Sequence, residues 1–219
     1  MNCIKPSQEY SKKEAKQQLA LLHAQLNPHF LYNCFANIRS LCKMGDIESV
    51  ERMTGGLSKL FLYITRNAEP IVKLCDEADN MRDYLEIQRI RFNERVDLQI
   101  DSPPEEFRNM PIPKLCMQPI AENAYKYAFA NKEEGGIFRV RYFAEGNNLR
   151  IEFDDNGDIR DAQIEEVSEK LVNPEETSGL VNVSRRLLHY AGGRGELFVK
   201  RSDLGGLKVT IYLCSQRED

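Results

Sequence analysis

The sequence has no Cys-x-x-Cys pair among its six cysteines, at positions 3, 34, 42, 75, 116 and 214, and no histidine spaced to share a metal with them. Zinc-site patterns are thereby excluded and no disulfide framework is indicated, so the cysteines read as reduced, mostly buried thiols of a cytoplasmic protein. Long apolar runs are also missing. Nothing approaches the ~20 residues of a membrane span, and the N-terminus lacks the apolar core of a signal peptide. The chain is expected to be soluble, or the cytoplasmic piece of something longer. Positive charge is not in excess either: the formal net charge of −4 gives no electrostatic footprint for nucleic acid. There is no internal repeat, no low-complexity tract and no regular βαβ alternation.

What is present fits two modest folded units within 219 residues, divided near residue 70. From about Ser7 to Met44 apolar residues recur in steps of three or four (Ala15, Leu19, Leu22, Leu26, Phe30), which predicts one long helix. Pro28 removes an N–H and crowds the preceding turn, so a bend is expected there. Gly45 ends this helix, and Asp46 caps a second that carries Ile47, Val50, Met53, Leu57, Leu60, Phe61 and Ile64 as far as Pro70. A hairpin of two helices buries little alone, and a second copy across a two-fold axis would complete its apolar faces as a four-helix bundle.

Beyond Pro70 the pattern predicts a helix over Leu74 to Phe92, a strand over Val96 to Ile100, and a proline-punctuated loop through Pro103, Pro104, Pro111 and Pro113. It then predicts a helix over Lys114 to Ala130, strands over Ile137 to Phe143 and Leu149 to Phe153, a helix over about Leu180 to Tyr190, and strands over Gly195 to Lys200 and Leu207 to Leu213. This order predicts an α+β sandwich, with helices on one face of a mostly antiparallel sheet.

Four clusters carry candidate chemistry. His29 follows Pro28 at the edge of the first helix's apolar stripe, where it reads either as a core histidine or as a reactive one. In Gln118-Pro-Ile-Ala-Glu-Asn-Ala-Tyr-Lys126, Asn123 and Lys126 share a helix face. An amide oxygen suits magnesium and an ammonium suits phosphate, although the same residues would make an ordinary surface face. Asp154-Asp-Asn-Gly-Asp158 follows a strand and is either a plain turn or a carboxylate placed to accept from an exocyclic amine, with Gly157 allowing close approach. Ser178-Gly-Leu-Val-Asn182 opens a helix, a place where exposed N–H groups can meet phosphate. The polar stretch from Ile159 to Thr177 could cover a ligand as a lid.

In order, Asn27-Pro-His-Phe-Leu-Tyr-Asn33, Tyr84-Leu-Glu-Ile-Gln-Arg-Ile-Arg-Phe92, Gln118-Pro-Ile-Ala-Glu-Asn-Ala124, Asp155-Asn-Gly157 and Gly179-Leu-Val-Asn182 resemble the LytS/YesM-type sensor histidine kinases, from about Leu19 to Leu213. The resemblance implies a dimerisation and phosphotransfer hairpin over residues 1–70 and a Bergerat-type ATP-binding domain over 71–219, the fold shared with gyrase, Hsp90 and MutL. It further implies ATP and Mg²⁺ as cofactors, a homodimer, a response-regulator receiver domain as partner, and membrane attachment only through a sensor segment outside this chain. His29 then corresponds to the phosphoacceptor, Asn123 to the magnesium ligand and Asp155 to the adenine-recognising carboxylate. Glu122 and Lys126 flank the magnesium ligand. Gly157, Gly179 and Asn182 match the nucleotide-binding glycine motifs. Asn33, one turn after His29, matches a position that orients water for dephosphorylating the regulator, and Glu122 is the remaining candidate base because position 30 is Phe30.

Two glycines of the family pattern are replaced, by Ile159 after the Asp-Asn-Gly motif and by Thr177 before Gly179, and Tyr127 stands where the family often has His. A degenerate kinase acting as a dimeric scaffold is therefore an alternative. So is an ATPase of the gyrase/Hsp90 type in which Glu122 activates water.

Overall fold

The computed structural model describes residues 28–66, 69–173, 175–188 and 193–215. The expected first part of the long helix, residues 7–27, and the end of the last expected helix, residues 189 and 190, lie outside the described residues. So does the predicted bend on the N-terminal side of Pro28. The chain divides into two compact units, Met1–Ala68 and Glu69–Asp219.

In the first unit, helix α1 (Pro28–Met44) runs into helix α2 (Ile47–Arg66) through a tight connection. Gly45 adopts φ +76, a left-handed conformation that glycine enters without a Cβ penalty. Gly45 N–H donates to Cys42 O at 3.2 Å and Asp46 N–H to Leu41 O at 3.0 Å, the two bonds of a Schellman termination. Asp46 Oδ1 then accepts from Ser49 N–H at 3.1 Å, capping α2 as its position predicts. Phe30 and Cys34 of α1 are buried, as are Met53, Leu57, Leu60 and Ile64 of α2 at steps of four, three and four. Tyr32 and Phe35 stay exposed.

The second unit is an α+β sandwich. A short strand β1 (Ile71–Lys73) leads into helix α3 (Leu74–Arg91), then β2 (Val96–Ile100), a 3₁₀ turn (Glu105–Phe107) and β3 (Pro111–Pro113). Helix α4 (Gln118–Asn123) continues as a π-helical turn over Ala124–Ala128, followed by strands β4 (Gly136–Glu145) and β5 (Asn148–Asp155), helices α5 (Asp161–Val172) and α6 (Gly179–Leu188), and strands β6 (Gly193–Arg201) and β7 (Leu207–Ser215). The main sheet has the order β2-β4-β5-β7-β6, and a two-stranded sheet pairs β1 with β3. β2 and β4 are parallel, while β4, β5, β7 and β6 pair antiparallel in turn.

Alternation along β5 decides which side chains meet. Leu149, Ile151 and Phe153 join Phe138 and Val140 of β4 and Val209, Ile211 and Leu213 of β7 in the buried layer. The opposite face carries charge: Arg141 pairs across from Glu152, and Asp154 from Lys208. Helix α3 has little one-sided pattern because Glu77, Asn80 and Gln88 are buried along with Leu74, Met81, Leu85 and Ile87. Glu77, fully buried, accepts from Leu115 N–H at 2.9 Å and Met117 N–H at 3.0 Å. Leu115 sits at φ +55 between those bonds, so the two N–H groups form a small nest closed by the protein's own carboxylate. That nest fixes the entry to α4.

Two expectations change. Pro111 and Pro113, read as loop punctuation, lie in β3, whose proline nitrogens suit a strand paired on one side only. The polar stretch after Ile159 is helical over Asp161–Val172, with Ile164 buried. The thiols are also less buried than expected: among the described cysteines, none of them in a disulfide, Cys34 and Cys116 are buried and Cys42 is exposed.

Candidate functional site

The second unit holds a cavity of about 620 Å³ whose wall brings together Asn123, Lys126, Asp155, Gly157 and Gly179. Three separated stretches of chain supply them. Asp155, the last residue of β5, points inward by strand parity and is 7% exposed. Its Oδ1 accepts from Gly157 N–H at 2.9 Å and Leu207 N–H at 3.1 Å, which leaves the acceptor capacity of Oδ2. Burial raises the carboxyl pKa, and the two N–H donors oppose that rise. Phe138, Phe153, Ala128 and Val209 line the cavity with it, making an apolar slot with one carboxylate.

Two glycines make this slot possible. A Cβ on Gly157 would stand 2.6 Å from Ala128 Cα, and one on Gly206 would stand 2.5 Å from the Asp155 carbonyl oxygen. Gly157 is visible in the Asp-Asn-Gly motif. Gly206 is not, because its neighbour lies 51 positions earlier; only the Gly205-Gly206 pair hints at a tight approach. Asn156 turns away from any ligand role. It accepts from Ile137 N–H and donates to Gly135 O, each at 2.8 Å, fastening β5 to the start of β4.

At the other end, the helix carrying Asn123 widens into its π turn, closed by Phe129 N–H donating to Ala124 O at 3.0 Å. Asn123 and Lys126 both reach the cavity, as their shared face predicts. The Lys126 ammonium lies 4.8 Å from the Tyr127 ring centre. Gly179 opens α6, where Ser178 Oγ accepts from Val181 N–H at 3.4 Å. Helix α5 forms another wall through Gln163, Glu166, Val167 and Lys170. Ile159 and Thr177, the two glycine replacements, also line the cavity.

Two candidates stand apart from this wall. Glu122 accepts from Gln118 Nε2 at 2.8 Å, its pKa raised by burial, and Asn182 is exposed on α6. In the first unit, His29 is exposed at the start of α1, and Asn33 Nδ2 lies 3.2 Å from its Nδ1.

The donor set bears on a metal. Among the described residues no group of three or more His, Cys, Asp or Glu is placed to hold one. Asn123 supplies a single hard oxygen, which fits an ion such as magnesium that draws its other ligands from phosphate and water.

Comparison with known proteins follows the same lines. Residues 17–96 match the family model described as histidine kinase. Sensor histidine kinase YesM of Bacillus subtilis (strain 168) is 36% identical over 147 residues, covering 67% of this chain and 25% of that protein. Sensor protein LytS of Enterococcus faecalis (strain ATCC 700802 / V583) is 27% identical over 213 residues, covering 95% of this chain and 36% of that protein. The chain thus spans between a quarter and about a third of the length of these relatives. The catalytic domain of histidine kinase ThkA superposes with a TM-score of 0.50 at 14% identity, over 66% of this chain and 94% of that one, a likeness of fold. No described helix is long and apolar enough to cross a membrane.

Proposed function

The chain belongs to the LytS/YesM type of the sensor histidine kinase family, and from that premise we propose that it binds ATP in the cavity of its second unit and transfers the γ-phosphoryl group to His29. The observation that carries the proposal is the single cavity lined by Asn123, Lys126, Asp155, Gly157 and Gly179. Asp155 Oδ2 accepts from the 6-amino group of adenine while the ring lies in the apolar slot. The phosphates run toward Lys126, whose ammonium offsets their charge, and toward the N–H groups at the start of α6. Asn123 would hold a magnesium ion, which would supply charge neutralisation at the phosphates.

A lone pair on a nitrogen of neutral His29 forms the N–P bond as the bond from phosphorus to the ADP oxygen breaks. Glu122 is the candidate acceptor for the imidazole proton. The phosphoryl group then passes to an aspartate of a response-regulator receiver domain, and Asn33 orients water for its later removal. Phosphoryl transfer asks chiefly for positioning and charge neutralisation, which suits a site built of ligands and clamps. The exposed Tyr32 and Phe35 of α1 support a homodimer joined through the hairpin. The whole is the cytoplasmic portion of a membrane-bound sensor.

Incubation with γ-labelled ATP and Mg²⁺ tests this: acid-labile, base-stable label is expected on the wild type and absent from His29→Gln. Equal labelling of both would overturn the assignment. A second reading, a nucleotide-poor dimeric scaffold, is favoured by the placement of Ile159 and Thr177 in the cavity wall. Calorimetry with a non-hydrolysable ATP analogue separates the two, since tight Mg²⁺-dependent binding counts against the scaffold. Direct ATP hydrolysis through Glu122 fits less well, as Glu122 is not part of the cavity wall; free phosphate release that survives His29→Gln would restore it.

A further inference from the structure

Asp154 and Asp155 are consecutive carboxylates on opposite faces of β5, and the same short turn touches both. On the cavity face, Gly206 N–H donates to Asp155 O at 3.2 Å and Leu207 N–H to Asp155 Oδ1 at 3.1 Å. On the other face Asp154, with no exposed surface, accepts from Ser202 Oγ at 2.7 Å. Its carboxylate is neutralised by Lys208 at 3.3 Å, Arg141 at 3.1 Å and Arg139 at 3.5 Å.

We propose that Ser202, through Asp154, is a positioning residue for purine recognition: it holds the β6–β7 turn so that Asp155 presents Oδ2 to a 6-amino group. The proposal rests on the nucleotide-binding reading above and names what fixes the base specificity of that site. Ser202 is 5% exposed and its hydroxyl works in two directions, donating to Asp154 and accepting from Leu204 N–H at 3.1 Å. Its own N–H donates to Gly206 O at 2.8 Å, and its carbonyl accepts from Gly205 N–H at 3.0 Å. Gly206, which bonds the Asp155 carbonyl and precedes the Leu207 that pins Oδ1, is thus fixed relative to Ser202, and Ser202 is fixed relative to Asp154 in the same strand as Asp155. Arg201 extends the link, donating to Gly205 O and Ile159 O, both at 2.8 Å, so the turn is also joined to the segment beyond Gly157. Without the hydroxyl the turn loses its side-chain bond to β5, Leu207 N–H drifts from Oδ1, and the Asp155 carboxylate keeps Gly157 N–H alone as a fixed donor. Discrimination by a hydrogen bond depends on that fixed geometry.

The test compares adenosine with purine riboside, which lacks the 6-amino group, by calorimetry on the whole chain, together with thermal unfolding. Wild type is expected to prefer adenosine by at least about tenfold, the worth of one well-placed hydrogen bond to a charged acceptor. Ser202→Ala should cut that preference at least threefold, and Ser202→Thr, which keeps the hydroxyl, should retain it. If Ser202→Ala weakens both ligands equally and only lowers Tm, Ser202 is merely structural and the proposal fails while nucleotide binding stands. If wild type binds both nucleosides equally, the assignment of Asp155 to the base fails, and this proposal with it. If wild type binds neither, the nucleotide reading itself falls.

Discussion

Replacing Gly206 by Ala tests the packing behind Asp155 without changing charge or polarity. The new Cβ would stand 2.5 Å from the Asp155 carbonyl oxygen and 2.6 Å from Gly157 N, and it would press on Asp155 Oδ1 as well. Two of these neighbours are backbone, and the third is held by two N–H donors, so none yields cheaply. Overpacking of this kind costs about 1–3 kcal/mol. Moving the turn outward also weakens the bonds from Gly206 and Leu207 to Asp155, at about 0.5–1.5 kcal/mol each. The total is about 2–6 kcal/mol, or a fall in Tm on the order of 10 °C for a chain of this size. Gly146→Ala is the control, with backbone strain but no close approach: Gly146 has positive φ, +64, and nothing lies within 4 Å of its Cβ position. It should lose only the ~1–2 kcal/mol of a left-handed alanine and leave nucleotide binding intact. Urea denaturation of both variants, with m-values compared, decides the matter. If Gly206→Ala proves no less stable than Gly146→Ala and binds adenosine as wild type does, the close approach does not matter and the reasoning is wrong.

Glu77→Ala strands the buried N–H groups of Leu115 and Met117, so a loss of about 2–6 kcal/mol is expected in denaturant melts, built from ~1–3 kcal/mol per orphaned donor; a loss under 1 kcal/mol would mean that water replaces the carboxylate. The Arg139 guanidinium, 2.6 Å away, holds the Asp203 carboxyl well below its usual range. A depressed carboxylate adds stability above its unfolded pKa of about 3.9 and loses it as pH falls through the folded value, so Asp203→Asn should flatten the acid limb of a stability–pH curve below about pH 4. For Asp155 the sign is opposite: burial raises its pKa, so the folded state holds the proton more tightly and this group detracts from stability above the unfolded pKa. Because the base amine needs the ionised form, adenosine affinity should weaken with acid at a higher pH than an ordinary aspartate gives, and a flat profile down to pH 4 would contradict this.

Local pattern revealed much of the fold. The alternation of Val96 to Ile100 gives β2 to the residue, and Gly45 with Asp46 places the hairpin connection within one position. These signals are legible because the conformation depends on neighbours a few positions away. The helix Asp161–Val172 was obscured by its charge, since Gln163, Glu166 and Lys170 face the cavity and Ile164 alone is buried. β3 was obscured by its own prolines, which a strand paired on one side tolerates. In the site, the motifs at Asn123, Asp155, Gly157 and Gly179 meet in one cavity because each sits at the end of an element that the sheet aligns. Gly206, Ser202 and Glu77 were not legible, since their partners lie between 38 and 51 positions away and the contact itself is the only signal.

The opposite placement of Asp154 and Asp155 makes the site sensitive to parity. The register of β5 against β4 and β7 is fixed over seven or eight pairs on each side. A single residue inserted in β5 just before Asp154 would rotate both acids by one pleat, sending one into the apolar slot's rim and the other out among the arginines, with no change in composition. Two inserted residues would restore the faces. Length changes in this central strand are therefore tolerable in even steps, or in the Gly146 turn, where the chain can absorb an odd count before the pleat begins.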